Sequence, residues 1–180
     1  MITAKPEKRA PDRKAMKGLY NSAFPKKERL PWGLLRLWAT LKRADLTAYY
    51  DDDTFCGFTF SVTKADCFYV MFFAVAEHLR GQGCGSAILK YIKQANLGKT
   101  IFLVAELPDA AAPNYAQRIK RLAFYKKNGF YDTGLNGREV GGIFRVLSST
   151  GTITAKAYRQ VFMKLTFGIW HPKVTKVNQE

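Results

Sequence analysis

The stretch that most constrains this chain is "FFAVAEHLRGQGCGSAILKYIKQ", Phe72 to Gln94. An apolar run breaks at Glu77 to Arg80, passes glycines at 81, 83 and 85, and resumes as an amphipathic pattern of helical spacing. That is a strand, a turn and a helix. The first amides of a helix have no intrahelical partner, and the macrodipole places about half a positive charge there. Glycines let the chain turn and let an anion approach the backbone. A fold that accepts this stretch therefore has an anion-binding turn at the end of a strand.

The flanking sequence supplies the other elements. Residues 1–12 are a charged lead-in with room for one short strand. A helix is expected over Arg13–Ala23 with Asp12 as N-cap. "FPKKERLPWG" is a loop, because Pro25 and Pro31 break any helix. Trp32, Leu35, Trp38 and Leu41 recur at helical spacing and predict a second helix. "LTAYYDD", "TFCGFTFSVT" and "CFYVMFFAVA" read as three strands. After the glycine turn come a helix over Ser86–Asn96, a buried strand "TIFLVAE", and a helix through "PNYAQRIKRLAFYKKNG" with Ile119, Leu122 and Tyr125 on one face and Gly129 at its end. Two strands, "FYDTGL" and "GIFRVLS", and a helix in "TAKAYRQVFMKLTFG" close the chain. The order β-α-α-β-β-β-α-β-α-β-β-α implies a mixed sheet with helices on both faces, in a single domain spanning 1–180 whose residues 152–180 are a C-terminal helix and tail.

Composition narrows the class. At 180 residues and 47% apolar, one domain can bury about 70% of its extended surface. The apolar stretch "WGLLRLWATL" is interrupted by Arg36 and is half the length of a membrane span, so neither a span nor a secretory signal is expected. Cys56, Cys67 and Cys84 form no CxxC pair and lack neighbouring histidines, which reads as reduced cysteines in a cytoplasmic protein. Only His78 and His171 are present, and "DDDT" at 51–54 lacks the alternating ligands of a calcium loop, so no metal site is expected. The net charge of +15 attracts polyanions. The first 43 residues hold 12 Lys/Arg against 3 Asp/Glu, yet no aromatic RNA-binding strand or zinc finger accompanies them, which argues against nucleic acid.

Three phosphate-binding patterns compete for the glycine turn. A P-loop needs GK[ST], and here Gly85 is followed by Ser86 and Ala87. The dinucleotide fingerprint GxGxxG is met at Gly81 and Gly83 but finds Ser86 at its third position, and the four-residue break before Gly81 is too long for that tight turn. The third pattern, [Q/R]-x-x-G-x-[G/A], is matched by Arg80-Gly81-Gln82-Gly83-Cys84-Gly85. Together with its strand and helix it resembles the coenzyme A pyrophosphate loop of the GNAT superfamily of N-acetyltransferases. About 30 residues on, "RLAFYKKNGFYDTG" resembles that family's aromatic-Tyr-x-x-x-Gly-Phe element, and the element order fits from about residue 13 to 148.

The resemblance implies an α/β fold of α+β type: a mixed, mostly antiparallel sheet with a splayed parallel strand pair at the cofactor cleft. It implies acetyl-CoA as cofactor, held by Phe73, Ala74 and Val75 on the strand and by Arg80, Gly81, Gln82, Gly83, Cys84, Gly85 and Ser86 in the loop. It implies an amine acceptor and direct attack in a ternary complex, and family members commonly form homodimers. Tyr125 matches the tyrosine that protonates the leaving thiolate in many members; the alternative is that it only packs the helix against coenzyme A. One departure is that the family's Asn, seven residues before that tyrosine, is Arg118 here, with Asn114 one turn earlier; Asn114 and Arg118 are the candidate cofactor contacts on this helix. The base is expected at Glu106, ending "TIFLVAE", with Glu77 as competitor. Trp32, Trp38, Tyr49 and Tyr50 line the acceptor site or belong to the core. A second reading is a catalytically silent acyl-CoA- or nucleic-acid-binding protein of the same fold.

Overall fold

A computed structural model describes residues 1–177; the last three residues of the expected C-terminal tail lie outside the described residues. The strands are β1 (Ile2–Pro6), β2 (Asp45–Asp51), β3 (Thr54–Lys64), β4 (Cys67–Val75), β5 (Thr100–Glu106), β6 (Tyr131–Glu139), β7 (Gly142–Ser148) and β8 (Val174–Lys176). The helices are α1 (Arg13–Ala23), α2 (Trp32–Thr40), α3 (Cys84–Ala95), α4 (Tyr115–Lys127) and α5 (Ala155–Leu165). The sheet order is β1-β2-β3-β4-β5-β7-β6-β8, mostly antiparallel, with β4 and β5 the parallel pair. This is the mixed α/β fold that the element order predicts. Among the described residues, no helix is long and apolar enough to cross a membrane.

The chain forms two compact units. The first holds Met1–Val62 and Val70–Leu97; the second holds Thr63–Tyr69 and everything from Gly98 onward. In the first unit, α1 buries Met16, Leu19 and Tyr20, and α2 buries Leu35 and Trp38. Tyr20 anchors the layer: its ring lies edge-on to Phe72 at 5.2 Å and tilted to Trp32 at 5.4 Å. Its hydroxyl donates to Leu30 O and accepts from Leu30 N–H. That double bond ties the proline-bounded loop to α1. Two local expectations change. Asp12 sits at the N-cap, but its side chain makes no capping bond. Leu41 falls past the end of α2 and is 48% exposed, because the helix stops at Thr40.

In the second unit, β5 pairs antiparallel with β7 and β7 with β6, so that Glu106, Phe144 and Gly137 form one row. Sequence reading ends the strand before β7 at Leu135, whereas β6 continues to Glu139. It also misses β8, whose three residues pair with Leu135–Gly137 and are too short to show a period. On α4 the inward stripe is half-buried Arg118, Arg121 and Leu122 with buried Tyr125, at helical spacing, while Ile119 is exposed. Two arginines occupy places where an apolar pattern expects leucines. The rings of Tyr69, Phe102, Tyr158 and Phe162 make the aromatic centre of this unit, Tyr69 stacking on Phe102 at 4.7 Å.

Gly57 lies where β3 meets β4. A Cβ there would stand 2.2 Å from Ala74 O and 3.1 Å from Val75 Cα, both backbone atoms. Gly57→Ala should therefore lower stability by about 1–3 kcal/mol. Gly18→Ala, mid-α1 with nothing within 4 Å, should raise it by about 0.5–1 kcal/mol. Thermal melts of the two variants beside the wild type check both signs.

Candidate functional site

One candidate region, in the first unit, is the exit of β4. Met71, Phe73 and Val75 are half-buried while Val70, Phe72 and Ala74 are buried, so one edge of the strand's alternation stays open. Ala76 N–H donates to Cys56 O at 2.8 Å and ends the extended run. A single tight turn over Glu77–Leu79 follows, closed by Leu79 and Arg80 amides onto Ala76 and Glu77 carbonyls. Gly81 (φ +77°) and Gly83 (φ +88°) then adopt the left-handed conformation, which glycine enters without steric cost. Gly83 is the N-cap of α3 and offers no side chain to cap it.

The first helical hydrogen bond runs from Ala87 N–H to Gly83 O. The amides of Cys84, Gly85 and Ser86 precede it and are left for an external acceptor. A Cβ at Gly81 or Gly83 would meet nothing within 4 Å, so a bulky anion has room beside this backbone. The helix thus starts two residues before the expected Ser86, because Gly83 takes the cap. Arg80 is exposed and its Nε donates to Val75 O at 3.2 Å; Gln82 Nε2 donates to His78 O at 2.7 Å. The arrangement is a positively polarised backbone cradle with one guanidinium beside it, and it fits a phosphate. Glu77 is exposed. Of the candidate aromatics, Trp38, Tyr49 and Tyr50 are core residues, whereas Trp32 is half-buried against Tyr20 and Phe58.

A separate candidate region, in the second unit, belongs to β5 and α4. Glu106 Oε1 accepts from Asn114 Nδ2 at 3.3 Å and pairs with Arg118 Nη2 at 3.3 Å; Oε2 pairs with Arg121 Nη1 at 2.5 Å. Arg118 also donates to Asn114 Oδ1 and Leu107 O. Glu106, Asn114 and Arg118 are therefore brought together, and Arg121 joins them. This explains the arginine stripe: the strand-end carboxylate pairs with two guanidiniums that α4 turns inward. Tyr125 lies one turn beyond Arg121 and is 7% exposed. Burial raises its pKa, with Arg121 pulling the other way. The helix ends in a Schellman motif: Phe130 N–H reaches Tyr125 O, Gly129 N–H reaches Lys126 O, and the rings of Phe130 and Tyr125 meet edge-on at 6.2 Å. The motif fixes Tyr125 at both backbone and ring.

A matching family model, described as "Acetyltransferase (GNAT) domain", spans residues 42–132, just over half of the chain. The chain belongs to the GNAT acetyltransferases. Solved relatives carry the same fold. A protein named for the GNAT acetyltransferase family from Bacteroides thetaiotaomicron is 19% identical, with 94% of this chain and 99% of that one covered at a TM-score of 0.75. An aminoglycoside 6'-N-acetyltransferase solved with coenzyme A is 14% identical over 82% of this chain and 95% of its own, TM-score 0.61. A Bacillus subtilis acetyltransferase in complex with CoA is 18% identical over 82% and 97%, TM-score 0.57. Among curated proteins, none matches this chain by sequence.

One group of this chain escaped the sequence reading. Glu139, at the end of β6, accepts hydrogen bonds from the Tyr69 hydroxyl at 2.5 Å and from the Tyr158 hydroxyl, both on Oε1. Burial pushes its carboxyl up to about 7, against the opposing pull of the Tyr158 and Tyr69 bonds. The signal is absent from any window of sequence, since its partners lie 70 and 19 residues away.

An acid with a raised folded pKa costs stability as pH rises from its ordinary value, 4.5, through about 7, because the unfolded chain gives up the proton first. Glu139→Gln removes that titration and keeps an oxygen for the tyrosines. The variant's stability should gain on the wild type between pH 4.5 and 8, by on the order of 1–3 kcal/mol. Melts across that range test it; a difference independent of pH would show that Glu139 does not titrate there.

Proposed function

We propose that this acetyltransferase moves an acetyl group from acetyl-CoA to a primary amine by direct attack in a ternary complex. The observation that carries the reading is the start of α3: three amides ahead of the first helical bond, a left-handed glycine as cap, and open space at Gly81 and Gly83. In this reading Arg80, Gly81, Gln82, Gly83, Cys84, Gly85 and Ser86 hold the pyrophosphate, with the amides donating to its oxygens. The backbone of Phe73, Ala74 and Val75 binds the pantetheine arm, and an amide near Val75 polarises the thioester carbonyl. Relatives solved with coenzyme A support the choice of cofactor.

The departing thiolate needs a proton. Tyr125 is the proposed donor: a phenol carries its proton at neutral pH, and the Schellman motif holds it in place. Glu106, the base expected from sequence, has both oxygens engaged by Asn114, Arg118 and Arg121. It can take a proton from the amine only by giving up one of those partners or through water. Its proposed role is to hold Asn114, Arg118 and Arg121 in order for the cofactor.

Calorimetric titration of acetyl-CoA, with NAD and desulfo-CoA alongside, tests the cofactor. Acetyl-CoA and desulfo-CoA should bind and NAD should not. Gly83→Val places a branched residue in the left-handed region, a strain of about 1–3 kcal/mol, and should weaken binding roughly ten- to a hundredfold. Tyr125→Phe should leave that binding intact while turnover, scored by thiol release with a panel of primary amines, falls by about 10²–10⁴. Equal turnover in Tyr125→Phe would remove the tyrosine from the chemistry.

A further inference from the structure

We propose that Cys56 and Cys84 form an oxidisable dithiol, and that closing it into a disulfide weakens the grip of the anion cradle on its ligand. Both residues lie in the first unit. The effect on affinity rests on reading the cradle as the seat of the cofactor's pyrophosphate; formation of the bond does not.

The backbone brings the two residues together. In the pairing of β2 with β3, Tyr49 stands opposite Gly57 and Tyr50 opposite Phe55, so the ladder skips Cys56. A bulge of this kind re-aims the side chain of the extra residue. α3 packs beside it: the rings of Tyr49 and Tyr91 meet edge-on at 5.9 Å. Cys84 stands two helical turns before Tyr91 and so lies on the same face of α3.

The thiols touch. Cys56 Sγ donates to Thr54 O at 3.4 Å, which leaves its lone pairs as acceptor for the Cys84 thiol. Burial pushes the Cys56 thiol up to about 11, and the charge and hydrogen bond of Cys84 push the same way. Cys56 is buried and Cys84 half-buried, so an oxidant from solvent meets Cys84 first. Cys67, by contrast, is buried in the second unit with its thiol on Asp66.

The co-reactant is a hydroperoxide, the simplest being hydrogen peroxide. The Cys84 sulfur attacks one peroxide oxygen, the O–O bond breaks, and hydroxide leaves with the thiol proton as water. Cys84 is then a sulfenic acid. The Cys56 sulfur attacks it, the S–O bond breaks, and hydroxide leaves with the Cys56 proton as a second water. Two thiols and one peroxide thus give one disulfide and two waters.

The bond would act on the cradle through two backbone positions. Cys56 O already holds Ala76 N–H where β4 ends. Cys84 opens α3, and its amide is one of the three ahead of the first helical bond. A disulfide ties both ends of the glycine turn to one point on β3. Sulfurs now in contact must close to bonding distance, which draws the first turn of α3 toward the sheet and its amides off the anion. The coupling is reciprocal: an anion that prefers the reduced cradle opposes oxidation by the same factor.

The test treats the full chain with hydrogen peroxide, blocks remaining thiols after denaturation, and maps peptides without reduction by mass spectrometry. Acetyl-CoA affinity is measured by calorimetry before treatment, after it, and after dithiothreitol. A Cys56–Cys84 peptide should appear, with Cys67 still a thiol. Affinity should fall about tenfold, a typical coupling between two sites, and return with dithiothreitol. Saturating acetyl-CoA should slow formation of the bond. Cys56→Ala should bind acetyl-CoA as the reduced wild type does and yield no cross-link; should that variant fail to fold, the wild-type map decides by itself. Absence of the Cys56–Cys84 peptide, or a bond to Cys67 in its place, overturns the dithiol. The peptide with unchanged affinity overturns its effect on the cradle. A reduced wild type that binds no acetyl-CoA overturns the cofactor reading, and a mapped Cys56–Cys84 bond would survive that result.

Discussion

A helix begins with amides that its own carbonyls cannot reach, and the first unit is arranged around leaving them that way. Most helices meet this need with a Ser, Thr, Asp or Asn side chain. At α3 the cap is Gly83, which has no side chain to offer. Gly83 is reached only because Ala76 stops the strand on Cys56 O and one tight turn follows. Upstream, the close passage of Gly57 against Ala74 keeps β4 against β3 up to that stop. Sheet packing, turn and cap therefore converge on the same three free amides. Capping them with a side chain would stabilise the helix and close the place where an anion fits.

The second unit applies the complementary rule, that a carboxylate removed from water needs partners. It does so twice, with opposite results. Glu106 is given two guanidiniums and an amide, so α4 can turn arginines inward where an amphipathic helix would carry leucines. Glu139 is given two neutral hydroxyls on a single oxygen and no countercharge. The first environment fixes a charge in place; the second leaves a proton affinity near neutrality. The two carboxylates thus differ in their partners, one set by countercharges and the other by hydroxyls.

This contrast also marks what the sequence could show. Period-based features were legible: the bounds of α1, the order of every element before β8, and the turn from β4 into α3, because each rests on residues within one window. Tyr125 was legible through its spacing to Gly129 and Phe130, which the Schellman bonds explain. The inward arginines of α4 were not, since Arg118 reads as a cofactor contact until Glu106, 12 and 15 residues before Arg118 and Arg121, is placed beside them. Ile119 misled for the same reason. Glu139 sat beyond the point where β6 seemed to end, at Leu135, and its partners come from β4 and α5. A strand's alternation reveals its faces, but which distant hydroxyl meets a given carboxyl depends on long-range pairing.

Burying Glu139 carries a cost. Two tyrosine hydroxyls need one acceptor oxygen, and a glutamine would supply it without bringing a charge into an aromatic cluster. A leucine with two phenylalanines would satisfy the packing with no polar group left to pair. What glutamate adds to either is a proton that can be gained and lost, together with a second oxygen that the tyrosines do not use. The energetic penalty of its burial is the same quantity that raises its proton affinity. At this position the cost of burial and the raised proton affinity are one effect.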